Sequence, residues 1–242
     1  MQSQLDIDLN SHPHVNLQPL MEIHLVERED VFYKAGRNLA KEVYREVWNT
    51  QNLVDGNDYA VIVACKGKVV GNVNIQLKKP KTLLKSEIFF GEKHWEHYFQ
   101  VEDSEIAEVS SLAIAQDAPT ELRRAIMMVL MTGFHNICRI KGIKHLSTVQ
   151  HNYLLRILNK SLKMPFYRNQ IVTQPTGNLP NDDYWNRGTY PSIYYVDVLS
   201  TEMMNVCYNF LSYLNLSGIQ TSFSPRIKAE SLSYAAFTKS CR

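Results

Sequence analysis

The period of apolar and polar positions changes several times along the chain, and each change predicts an element. Met21 to Val26 alternates, as a strand with one covered face does. From Glu29 to Trp48 the positions Val31, Ala35, Leu39 and Val43, filled out by Phe32 and Val47, fall at helical spacing. Thr50 to Asp58 is a polar loop. Tyr59–Cys65 and Lys68–Leu77 flank Lys66-Gly67, which predicts a hairpin. Lys78 to Asp103 is mixed, with aromatics at Phe89, Phe90, Trp95, Tyr98 and Phe99.

Ala107 to Ala115 predicts a strand covered on both faces, because Val109 to Ala115 is apolar or small throughout. Asp117-Ala118-Pro119-Thr120 ends it, with Thr120 as a cap and Glu121 in the first turn of a helix running towards Ile140. Another strand (144–150), a helix (152–162), a Pro/Asn/Gly-rich loop (174–188), a last strand (193–198) and a last helix (201–214) follow. These elements make one domain over 21–214. A flexible arm is expected at 1–20 and a poorly ordered, Ser-rich tail at 215–242.

Composition narrows the function. At 242 residues, with 45% hydrophobic and 21% charged residues, the chain reads as an ordinary globular α/β protein. A net charge of +2 gives no support to general nucleic-acid binding. Cys65, Cys138, Cys207 and Cys241 are scattered without a CxxC pair, which fits a reducing compartment and disfavours a zinc site. With no apolar leader segment, and a longest apolar run (Ala125 to Met131) too short to cross a bilayer, the expectation is a cytoplasmic protein. No HExxH, G-x-S-x-G, Walker or dinucleotide fingerprint is present, so no metal or organic redox cofactor is expected.

The strand, short polar loop and helix opening on Arg123-Arg124 outline a site for a phosphate or a thioester cofactor. Three motifs sharpen that outline. Asp55-Gly56-Asn57-Asp58-Tyr59-Ala60 resembles the acidic loop of the autoinducer-synthase-like branch of the GNAT acyltransferases. Gly71-Asn72-Val73-Asn74-Ile75 resembles its hairpin strand, and Ala107-Glu108-Val109-Ser110-Ser111-Leu112-Ala113-Ile114 its W-E-x-S-R strand. That branch holds the acyl-homoserine-lactone synthases and the N-acyl amino acid synthases, and the resemblance covers roughly Ile23 to Val198. It implies a three-layer α/β fold: a mixed, mostly antiparallel sheet, splayed in the middle, with helices on both faces. The chain departs from the pattern where the family's two arginines become Asn74 and Ser111, which disfavours a homoserine-lactone product. The glycine-rich pyrophosphate loop of ordinary GNATs has no counterpart in Gln116 to Arg124, which favours a carrier-protein donor over acetyl-CoA.

The resemblance implies attack of an amine on an acyl thioester. Glu108 would be the general base, with Ser110 beside it and Ser111 lining the site. Asp55 and Asp58 would hold the acceptor amine, and Trp48 with the 89–99 aromatics would wall an acyl pocket. The backbone of Leu112, Ala113 and Ile114 would pair with the phosphopantetheine arm of acyl carrier protein or acyl-CoA, a co-substrate rather than a bound cofactor. Arg123 and Arg124 would meet its phosphate. Arg139, Lys141, Lys144, Lys160, Lys163 and Arg168 would form a basic patch for acidic acyl carrier protein. The same residues also suit plainer roles: a solvated helix face for the arginines, turn residues for the acids, core packing for the aromatics. The expected function is therefore N-acyl transfer from a carrier-protein or CoA thioester to an amine, an amino acid foremost. An inactive GNAT-like binding domain and an acetyl-CoA-dependent N-acetyltransferase are the alternatives.

Overall fold

A computed structural model describes residues 20–227. Eight strands form one sheet: β1 (Leu20–Glu27), β2 (Tyr59–Cys65), β3 (Lys68–Leu77), β4 (Ile106–Ile114), β5 (His145–Gln150), β6 (Tyr167–Arg168), β7 (Ser192–Asp197) and β8 (Gln220–Arg226). Their spatial order is β6-β7-β5-β4-β3-β2-β1-β8. The pairs β1/β8 and β4/β5 are parallel and the remainder antiparallel, giving the mixed, mostly antiparallel sheet that was expected. The helices are α1 (Val31–Trp48), α2 (Lys85–Phe90), α3 (Thr120–Lys141), α4 (Asn152–Arg156), α5 (Asp183–Asn186) and α6 (Thr201–Leu216).

Two helices press on the sheet from opposite faces, and glycine permits each close approach. A Cβ at Gly36 of α1 would collide with Ile62, and one at Gly133 of α3 with Val61, the adjacent residue of the same strand. Because successive strand residues point to opposite faces, the sheet has two chemically different sides. Towards α3 it presents Val61, Val63, Val73, Ile75, Ala107 and Val109, all in the main core. Towards α1 it presents Asn72, Asn74 and Gln76 of β3, paired with Ala113, Ser110 and Glu108 of β4. Those three β3 residues are buried, so the polar face is covered rather than solvated.

β4 is bulged. The β3/β4 register shifts between Asn72 and Asn74, and Ser111 sits opposite with φ 53°, in the left-handed region. On its other side β4 pairs with β5 over only Ile106/His145, Ala107/Leu146 and Glu108/Ser147. Beyond that the strands part, and the Thr148 hydroxyl, not a backbone amide, donates to the Val109 carbonyl (2.9 Å). This is the splay in the middle of the sheet.

Several expectations change. The buried stripe of α1 is Tyr33, Gly36, Arg37, Ala40 and Trp48, while Val31 and Val47 are exposed. The stripe is turned towards the polar face, so the apolar positions alone misplace it. Pro119, not Thr120, is the N-cap of α3, and no side chain caps it. Of the expected 152–162 helix, α4 is the first turn and Ile157–Ser161 a π-helical one. Of the expected tail, 215–227 comprises the end of α6 and strand β8. The rest of the tail, the arm up to residue 19, and Cys241 lie outside the described residues. Among the described residues, no helix is long and apolar enough to cross a membrane.

Candidate active site

A cleft with a cavity of about 210 Å³ opens on the polar face of the sheet, where β4 and β5 diverge. Glu108, Ser110 and Ser111 of β4, Gln150 of β5 and Lys85 of α2 supply polar groups, with Asp182 and Thr50 opposite. Val54, Ile88, Phe89, Val149, Tyr184 and Trp185 supply an apolar wall. One half of the cavity is therefore greasy and the other chemical, the usual build of a site for an amphipathic ligand.

Glu108 is 2% exposed, and its Oε2 accepts the Ser86 N–H at 2.7 Å. Burial raises its carboxyl pKa above the usual range; hydrogen bonds from Ser86 and the Lys85 charge oppose the rise without cancelling it. Ser110 lies two residues along on the same face and donates to Asn57 Oδ1 (3.0 Å).

Bonded to Ser111 lies a buried guanidinium that the sequence did not single out. Arg37 Nη1 donates to Asn74 Oδ1 (3.2 Å) and Ser111 Oγ (2.9 Å), and Nη2 to the carbonyls of Leu53 (3.1 Å) and Val54 (3.3 Å). Its Nε is 3.6 Å from Asp55. The two positions where the family pattern carries arginine, Asn74 and Ser111, thus share one arginine delivered from α1. Burial pushes Asp55 upward, but the Tyr33 hydroxyl (2.6 Å), the Arg37 charge and Asn57 together hold it below the usual carboxylate value.

The structure brings Glu108, Ser110, Ser111 and Asp55 into one connected neighbourhood. It does not bring Asp58 there: that carboxylate accepts the Leu77 N–H (2.8 Å) and pairs with Lys79, fixing the end of the hairpin. Trp48 stands behind the cavity, stacked on His151 with centroids 5.2 Å apart and edge-on to Tyr184, which forms the wall. Leu112, Ala113 and Ile114 run on beyond the bulge, with Ala113 and Ile114 paired to Asn72 and Gly71. Arg123 braces the loop before α3 through the Ala118 (3.2 Å) and Gln116 carbonyls. Arg124 donates to the Ser161 carbonyl (3.4 Å) and lies over the Tyr213 ring.

The six basic residues do not form one patch. The Arg124–Ser161 bond ties the segment carrying Lys160 and Lys163 to the start of α3. Arg139 and Lys141 lie at its other end, about 22 Å from Arg124 at 1.5 Å per residue. Lys144 joins that far end through Glu105 (2.5 Å), and Arg168 is on edge strand β6.

Lys85, Asp182, Gln150 and Thr50 are polar cleft groups the sequence reading missed, and Arg37, bonded to Ser111, is a buried neighbour it missed as well. Arg37 left a trace, a charge four residues from Tyr33 and three from Ala40 on one helical face. Lys85 and Asp182 left none, since each is a polar residue in a mixed or loop segment.

No protein-family model matches the sequence, and no curated protein does. Solved structures do match. The CoA-dependent acyl-homoserine lactone synthase BjaI, determined with SAM and isopentyl-CoA, is 14% identical, with TM-score 0.58 over 86% of this chain and 96% of that one. The acyl-homoserine lactone synthase LasI is 14% identical, with TM-score 0.54 over 78% of this chain and 95% of that one. MesI, another CoA-dependent synthase of this kind, is 16% identical, with TM-score 0.50 over 78% and 94%. The chain has the GNAT-like fold of the acyl-homoserine-lactone synthases.

Proposed function

We propose that this protein is an N-acyltransferase that moves a fatty acyl group from a carrier-protein or CoA thioester to the amine of an amino acid. One observation carries the reading: a buried, high-pKa carboxylate, Glu108, in a half-apolar cleft at the point where β4 leaves β5. The acceptor arrives as an ammonium and must lose a proton before its nitrogen can attack. A carboxylate whose basicity is raised by burial takes that proton, directly or through water. The C–N bond then forms, the tetrahedral oxyanion collapses and the C–S bond breaks; of the two protons the ammonium gives up on becoming an amide N–H, one ends on the departing thiolate and the other leaves through Glu108 to solvent. The thioester is already reactive, so positioning supplies much of what remains. The apolar wall suits the acyl chain, and the edge of β4 where it parts from β5 suits the amides of a pantetheine arm. Arg123 and Arg124, at the start of α3, would face the arm's phosphate.

BjaI, of the same fold, is CoA-dependent. This chain lacks a glycine-rich loop before α3, and we assign the carrier protein as the donor that the absence of such a loop suits best. Such donors place the protein in the cytoplasm.

The test is release of free thiol from long-chain acyl carrier protein, long-chain acyl-CoA and acetyl-CoA, each with and without a pool of amino acids. Turnover is expected with a long-chain donor, and Glu108→Gln should lose 10²–10⁴-fold of it, the range for removing a general base. Activity should rise with pH through the raised Glu108 pKa, because the deprotonated form is the base. Folding stability carries the opposite sign. The folded state holds this proton more tightly than the unfolded chain, so Glu108 costs stability as pH rises past the ordinary carboxylate value. Glu108→Gln keeps an acceptor for the Ser86 N–H and should melt higher at pH 8 than the parent. Thiol release from acetyl-CoA alone would reassign the protein as an acetyltransferase; release from no donor would make it a binding domain.

A further inference from the structure

Arg37, Lys78 and Lys85 each bring a cation to the polar face of the sheet. Lys78 is paired with Glu87 (2.7 Å) and Arg37 with Asp55 (3.6 Å). Lys85 forms no ion pair among the described residues; its ammonium donates to the Val54 carbonyl (3.2 Å) and, at a long 3.5 Å, to the Ser110 hydroxyl. Lys85 is half-buried at the cavity wall, and its ammonium carries three N–H donors of which these two bonds use two. Burial lowers the Lys85 pKa, with the Glu108 charge opposing. An arriving anion would reverse that effect.

Across the same cavity, Asp182 accepts from the Thr50 hydroxyl (3.0 Å) through Oδ2 alone. Its Oδ1 is shielded from solvent and has no partner among the described residues. The cavity therefore offers one cation short of an anion, one carboxylate oxygen short of a donor, and the base Glu108. A small zwitterion completes all of them.

We propose that Lys85 binds the carboxylate of the acceptor, so that the enzyme acylates free amino acids and discriminates against amines that lack the acid. This rests on the N-acyltransferase reading above. Lys85 reaches Ser110, two residues from Glu108 on one strand face, so the anion it meets lies within an amino acid's span of the nitrogen being deprotonated. The phosphate of a pantetheine arm sits at the opposite end of that arm from the thioester carbon, and is the wrong anion for this position. Asp182 holds the ammonium on the other wall.

Two measurements separate this assignment from the reading it rests on. The first is calorimetric binding of N-dodecanoylglycine and its carboxamide to the wild-type protein, Lys85→Met and Lys85→Arg, with folding checked by circular dichroism. The second is thiol release with free amino acids against the corresponding amino-acid amides. The acid is expected to bind at least tenfold more tightly than the amide to wild type. Lys85→Met should abolish that ratio and raise KM for the amino acid at least tenfold, while Lys85→Arg keeps the preference. Equal binding of acid and amide by wild type, or a preference that survives Lys85→Met, overturns the assignment and leaves acyl transfer standing. Acid-selective binding lost in Lys85→Met, with no thiol release from any donor, supports the Lys85 site and overturns the acyltransferase reading. If Lys85→Met fails to fold, the wild-type ratio and Lys85→Arg still decide.

Discussion

Arg37 shows how one side chain can join residues far apart in sequence into a single buried polar network. Read singly, Asn74 and Ser111 look like lost arginines. In the fold they are the two acceptors of a single guanidinium that also holds Asp55 and two loop carbonyls. Position 37 was not legible as part of the site, because a lone arginine among helix residues reads as solvated until the face it occupies is known. Glu108 was legible, since the motif around it is local and continuous in sequence. Removing the guanidinium leaves a charge and several carbonyls unpaired at once. Arg37→Met should therefore destabilise by about 3–5 kcal/mol, the cost of breaking a buried pair from one side. Arg37→Lys should recover only part, because an ammonium lacks the planar fork. Urea unfolding followed by circular dichroism measures both; an unchanged midpoint would remove Arg37 from its bracing role.

Elements with a strong period were read well, and elements defined by partners were not. The β2–β3 hairpin was placed to the residue, because two runs rich in β-branched residues flank the Lys66-Gly67 turn signal. β8 contains Ser and Pro and owes its existence to β1 beside it, so nothing local announced it. The alternation of Asn72, Asn74 and Gln76 reads as a solvent face; only the tertiary fold turns it into a buried one. Helix α3 provides a test at this scale. Gly133→Ala would gain roughly 1 kcal/mol of helix propensity in isolation. Here its Cβ would meet Val61, a β-branched side chain stiff at χ1 on a strand with no exposed residue near it. Overpacking of this kind costs about 1–3 kcal/mol, so the net sign should be destabilising. A stabilised Gly133→Ala variant in thermal melts would show that α3 rides further from the sheet.

At the level of the molecule, the expected three-layer plan holds, while the expected single basic surface does not. Residues close in sequence after α3 look clustered until the helix's length separates its ends. Arg123, Arg124, Lys160 and Lys163 belong to the start of α3, and Arg139, Lys141 and Lys144 lie at its far end. The β4/β5 junction predicts uneven protection as well. In native-state hydrogen exchange, amides at 109–111 and 148–150 should exchange faster than those at 106–108 and 145–147, and slow when an acyl donor is added. Uniform protection along both strands would contradict a parted sheet.

A sheet joined across its middle by three rungs behaves like a book with a short spine. Its two covers, β6-β7-β5 and β4-β3-β2-β1-β8, each keep their own full ladders. A slender guest sliding between them can be gripped by a small tilt that breaks no internal pairing on either side. The same spine marks where such a molecule would come apart first under load, and a mutation that lengthened it by a single rung would shut the book.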